Sequence, residues 1–163
     1  MKTLAEYFDE SGGGPIVYEG RKLRLSFWLP VCSGDRLRLT FLRFTDRPVQ
    51  GVGISAEDCE LCIASTHSKS LVLWTDTAPP VVEIEVLKAN AGARIGLMNQ
   101  WRDERYGTTM LGLNNAAMEE DRCSDGSVIL RCSDGWMGPD FDDLIFRIEH
   151  STDAGTRRHA RNG

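Results

Sequence analysis

The chain contains no uninterrupted apolar run near the roughly 20 residues that a bilayer-spanning helix needs, and the expectation is a protein without a membrane partner. Its first residues, Met-Lys-Thr-Leu-Ala-Glu-Tyr-Phe-Asp-Glu, lack the apolar stretch of a secretory leader, so the reading is cytoplasmic. Histidine is scarce: of the 3 present, His150 and His159 fall at or beyond the last expected strand, leaving His67 as a candidate general base. Neither Gly-x-Ser-x-Gly nor a phosphate loop occurs, so no nucleophilic or nucleotide chemistry is legible. Positive charge is also in deficit, with 19 Lys and Arg against 24 Asp and Glu. The net charge of -5 argues against nucleic acid as a partner, because neutralising phosphates takes a basic face. Cysteine numbers 5, which in a reducing compartment reads as thiols; in an exported chain Cys123 and Cys132 would be the natural pair.

What is present reads as one domain over 1–150, followed by a disordered basic tail over 151–163 with Arg157, Arg158 and Arg161. Thr3 with Glu6 forms a capping box for a helix that runs to Asp9 and stops at Gly12-Gly13-Gly14. Everything after it alternates with period two, the mark of half-buried strands. Leu23, Leu25, Phe27 and Leu29 share one face, with Trp28 on the other. Leu37, Leu39 and Phe41 alternate with Arg36, Arg38 and Thr40, and the pattern slips at Leu42-Arg43-Phe44 as a bulge makes it slip. About ten such segments predict an all-β fold: an antiparallel β-sandwich, jelly-roll-like, with a short N-terminal helix. Arg-Cys-Ser-Asp-Gly occurs at 122–126 and again at 131–135, bracketing the segment around Val128 to Leu130.

Four carboxylates, Asp134, Asp140, Asp142 and Asp143, crowd a Gly/Pro loop that runs into the final strand. Calcium takes six to eight oxygens from carboxylates and loop carbonyls, so this loop is the candidate metal site; Asp before Gly is equally the ordinary residue of a tight turn. Asp140-Phe-Asp-Asp-Leu-Ile-Phe146 resembles the motif that ends bacterial calcium-associated β-sandwich domains of adhesin and lectin type. That resemblance implies a sandwich whose last strand begins at a cation-binding or structural acidic loop. The motif's Asn is Asp142 here, and the export signal expected of a surface protein is absent.

Trp136 lies inside the acidic loop, and Trp101 sits in Asn99-Gln-Trp-Arg-Asp103. Rings that stack on a sugar, beside amides and carboxylates for its hydroxyls, make Trp136, Trp101, Asn99 and Asp103 the candidate ligand-binding set. The leading expectation is therefore a non-enzymatic domain that binds carbohydrate or another small polar ligand beside a calcium-binding loop. A protein-interaction module with a purely structural acidic turn is the alternative, and a carboxylate-dependent hydrolase the third reading. Cys59-x-x-Cys62 with His67 supplies three zinc-type ligands and lacks a fourth, so structural thiols are the better reading than zinc. Arg21, Lys22, Arg24, Arg36, Arg38 and Arg43 form a basic stripe, expected on two neighbouring strands.

Overall fold

The computed structural model describes residues 1–136 and 138–152. The helix α1 spans Leu4–Glu10. Fourteen strands follow: β1 (Ile16–Tyr18), β2 (Arg21–Arg24), β3 (Phe27–Pro30), β4 (Arg36–Phe44), β5 (Gln50–Glu57), β6 (Glu60–Ile63), β7 (Thr66–Ser68), β8 (Ser70–Trp74), β9 (Val81–Leu87), β10 (Arg94–Arg102), β11 (Thr109–Met110), β12 (Ala117–Arg122), β13 (Val128–Ser133) and β14 (Leu144–Ser151). They form two antiparallel sheets, one ordered β1-β2-β12-β13-β14-β4-β9-β6-β7 and the other β11-β10-β5-β8 with β3 also paired to β10. From β3 to β6, and again from β8 to β10, successive strands cross between sheets, which gives the jelly-roll-like sandwich.

The period-two residues do what the alternation requires. Leu37, Leu39 and Phe41 of β4, Val82, Ile84 and Val86 of β9, and Leu144, Phe146 and Ile148 of β14 enter one core with Val52, Ile54, Ile95 and Leu97 of the smaller sheet. A second cluster joins Leu4 and Phe8 of α1 to Leu23, Ala117 and Phe141. The capping box is formed, with the Thr3 N–H donating to Glu6 Oε2 at 2.6 Å and the Thr3 hydroxyl accepting from the Glu6 N–H. The bulge in β4 is present: Arg43 faces Ile145 and Phe41 faces Phe146, so Leu42 is the unmatched residue.

Three expectations need correction. The segment from Leu23 to Leu29 is not one strand: β2 pairs in the larger sheet and β3 in the smaller, and the chain crosses between them at Leu25-Ser26. The basic stripe is likewise divided, because β12, β13 and β14 lie between β2 and β4. The Cys123–Cys132 pairing is also ruled out by register. Cys132 faces Met118, five positions along β12 from Cys123, a separation of about 16 Å. All five cysteines are free thiols. The expected tail lies outside the described residues from 153 onward. No helix among the described residues is long and apolar enough to cross a membrane.

Glycines shape the outer side of the smaller sheet. Trp28 stands opposite Gly96 and Trp74 opposite Gly51, and a Cβ on either glycine would lie 2.7 or 2.6 Å from the facing indole. Each ring also carries a guanidinium, Arg94 at 3.9 Å from Trp28 and Arg102 at 4.3 Å from Trp74. The open edge at β8 is blunted locally, since the Ser68 hydroxyl accepts from the Ser70 N–H and donates to its carbonyl. The two-residue β6–β7 turn, Ala64-Ser65, has both residues at positive φ, 46° and 67°. Asn and Gly suit that conformation far better. Ala64→Asn with Ser65→Gly is expected to stabilise the fold by about 1 kcal/mol, read as a raised urea midpoint at unchanged slope.

Candidate functional site

The inward register of β5, β10 and β13 is apolar along most of its length and becomes polar at one end of the sandwich. Gln50 continues the inward row of Val52 and Ile54, Asn99 that of Ile95 and Leu97, and Asp134 that of Leu130 and Cys132; all three are buried. Buried polar groups must find partners. Gln50 Nε2 donates to Asp134 Oδ2 at 2.9 Å and to the Pro48 carbonyl at 3.0 Å, while Asn99 Nδ2 donates to the Ser133 carbonyl at 2.9 Å. These bonds tie the smaller sheet to the edge of the acidic loop. Among the described residues Gln50 Oε1 has no partner.

The aspartates of the loop build its turns. Asp134 Oδ1 accepts the Trp136 N–H at 2.9 Å, Asp140 Oδ1 accepts the Asp142 N–H at 3.0 Å, and Asp143 Oδ2 accepts the Asp134 N–H at 3.0 Å. The first copy of the repeat makes the same hydrogen bond, with Asp125 Oδ1 accepting from the Ser127 N–H at 2.9 Å. Burial raises the Asp134 carboxyl, an effect opposed by the Gln50 bond. Burial also drives the neighbouring Asp143 carboxyl up to about 7, reinforced by the negative charges of Asp134 and Asp140. The negative charge of Asp134 beside it is one of the causes, so Asp143 is the carboxyl of this group that holds its proton toward neutral pH.

The loop carboxylates are engaged with the backbone rather than gathered around one point. Both Asp134 oxygens and one oxygen each of Asp140 and Asp143 already accept protein N–H groups. Asp142 is exposed at the rim, and no three His, Cys, Asp or Glu side chains among the described residues converge as metal ligands. The Cys59, Cys62 and His67 set is likewise not assembled: Cys59 is buried, and His67 Nδ1 lies 2.5 Å from Glu60 Oε1. His150 sits far along β14 from the acidic loop, its Nε2 2.8 Å from Asp35 Oδ2.

The tryptophans separate into different roles. Trp101 is 4% exposed and Asn99 2%, so the expectation that they meet ligand is corrected: both are interior. Trp101 packs on Gly135, where a Cβ would stand 2.5 Å from its Cζ2 and 2.7 Å from the Leu113 carbonyl oxygen. Trp136, one residue later, is 59% exposed. It lines an open groove of about 680 Å³ with Tyr106, Thr108, Met110 and the polar side chains of Asp103, Glu104 and Arg105. Tyr106 is 77% exposed, and its N–H donates to Asp103 Oδ2 at 3.1 Å, which fixes the β10–β11 turn.

Of the sequence-derived set, then, the structure brings Trp136 and Asp103 to one groove, keeps Asp134 and Asp143 beneath it as supports, and withdraws Trp101 and Asn99. Sequence reasoning missed Tyr106 and Arg105, and weighed Glu104 only as a hydrolytic carboxylate. Their signal was the loss of alternation after Arg102 in Asp-Glu-Arg-Tyr-Gly. It also missed Gln50, a polar residue standing in an apolar register. No family model matches the chain, and no curated protein matches it.

Proposed function

We propose that the chain is a non-enzymatic binding domain that takes a carbohydrate, or a small polar ligand of similar shape, in the groove between Tyr106 and Trp136. The observation that carries this reading is the exposure of those two rings in one groove with Asp103, Glu104 and Arg105. A solvent-facing indole costs apolar hydration, and stacking on a pyranose face relieves it while neighbouring carboxylates and a guanidinium bond the hydroxyls. Trp136 is held from below: its N–H is bonded to Asp134, which is held by Gln50. The protein-interaction reading draws on Leu111 and Leu113, which are exposed in the same connection between β11 and β12. The hydrolase reading draws on Asp103 and Glu104, the two carboxylates of the same groove.

A glycan array probed with the wild type and with Trp136→Ala tests the proposal. The wild type is expected to select a small set of glycans and the variant to lose them, with affinity down about tenfold or more, the loss of one stacking contact of 1–2 kcal/mol. An array silent for the wild type would contradict it. The reading needs no metal. Unfolding midpoints in millimolar calcium and in chelator are expected to coincide, whereas a native-state ion site would raise the calcium midpoint by mass action.

A further inference from the structure

The side of the nine-stranded sheet turned away from the core carries an arginine cluster unlike the rest of this acidic chain. In β14, Leu144, Phe146 and Ile148 enter the core, which sends Ile145 and Arg147 to the other face. Ile145 pairs with Arg131 on one side and Arg43 on the other, so both arginines share that face. Adjacent partners are about 5 Å apart and alternate residues about 7 Å, so the three α-carbons lie within roughly 10 Å of one another. Ile145, which lies between them in register, is buried.

Other arginines of the same sheet are ion-paired and these are not. Arg38 pairs with Glu83 at 2.6 Å, Arg21 with Glu119 at 3.5 Å and Arg24 with Glu120 at 3.6 Å. Among the described residues no carboxylate forms an ion pair with Arg43, Arg131 or Arg147. Glu119, opposite Arg131 in register, is turned to Arg21, and Asp125 senses the charge of Arg147 from the β12–β13 turn. Three like charges this close repel, and a bound anion with oxygens for their planar forks removes that repulsion.

The surroundings narrow the anion. Glu149 and Glu83 bound the cluster on one side and Asp121 and Asp125 on the other, and the chain carries -5 overall. Those charges oppose a long polyanion or an anionic bilayer, each of which meets more surface than the cluster covers. Arg43, Arg131 and Arg147 surround an isoleucine rather than an aromatic ring on which nucleic-acid bases would stack. We propose that Arg43, Arg131 and Arg147 form a binding site for the anionic groups of an acidic oligosaccharide, its uronate carboxylates or sulfate esters. The site needs nothing from the Trp136 groove.

Calorimetric titration at low salt with tetragalacturonate, a heparin-derived hexasaccharide and a single-stranded hexadeoxynucleotide tests this. At least one acidic sugar is expected to bind, weakening as salt rises. Arg43→Ala/Arg147→Ala is expected to lose about tenfold or more in affinity while still unfolding cooperatively, and the double Lys variant to fall between, since it keeps charge without the fork. Trp136→Ala is expected to bind as the wild type does, and its failure would overturn the assignment to the sheet face. No binding of either sugar by the wild type, equal binding by the double alanine variant, or tighter binding of the oligonucleotide would each overturn the proposal.

Discussion

Alanine at Gly135 will destabilise the fold by about 3 kcal/mol, while alanine at Gly126, the same position of the other Arg-Cys-Ser-Asp-Gly copy, will cost about 1 kcal/mol. The difference comes from what each glycine does. Gly126 adopts φ +89° in an open turn, where a methyl group meets nothing within 4 Å and only backbone strain opposes it. At Gly135 the added carbon would sit 2.5 Å from Trp101 and 2.7 Å from the Leu113 carbonyl oxygen. One neighbour is a buried ring and the other is backbone, so neither yields cheaply. Urea unfolding of both variants measures this, as a shift of midpoint at constant slope. Equal losses at the two sites would show that Gly135 is only a turn residue.

Between pH 4 and 7 the stability of the protein will fall as the pH rises, by an amount that Asp143→Asn largely abolishes. The Asp143 carboxyl ionises at about 7 in the folded protein, against about 3.9 in an unfolded chain. In that window the native state holds a proton that the unfolded state has lost, so the contribution is complete below the unfolded value and is lost as pH rises through 7. Asparagine is a permanent copy of the protonated form: its oxygen can take the Asp134 N–H and its amide can donate to the Asp134 carboxylate. At pH 8 the variant is expected to be more stable than the wild type by ~2 kcal/mol, allowing for partial exposure, and equal to it near pH 4. Unfolding midpoints across pH 4 to 8 measure both curves, and parallel curves would contradict the raised Asp143 carboxyl.

The β-sandwich was legible because its strands are amphipathic: Leu37, Leu39 and Phe41, or Val82, Ile84 and Val86, declare their face by parity alone. The bulge at Leu42 was legible for the same reason, as a fault in that parity. Sheet membership was not, because β2 and β3 run in one alternating phase across a crossing that only tertiary pairing reveals. Parity also placed Trp28 correctly on the outer face, opposite Gly96.

The candidate site was legible in part. The crowding of aspartates marked the loop but not its chemistry, since an Asp before Gly looks alike whether it ligates an ion or accepts its own backbone N–H. Trp101 and Trp136 are indistinguishable as letters. One packs beneath the loop on Gly135 and the other projects from it, a distinction set by the close approach of the Leu113 backbone. Arg131 and Arg147 lie far from Arg43 in sequence, and only the β13-β14-β4 register joins them.

The central claim is that Trp136, and not Trp101, meets the ligand. A proton–nitrogen correlation spectrum resolves the indole N–H signals of the 4 tryptophans, each assigned by a single Trp→Phe substitution. Titration with a glycan selected on the array is expected to move the Trp136 signal progressively and saturably, with the Trp101 signal fixed. Movement of Trp101 with Trp136 unmoved, or no saturable movement of either, would contradict the account.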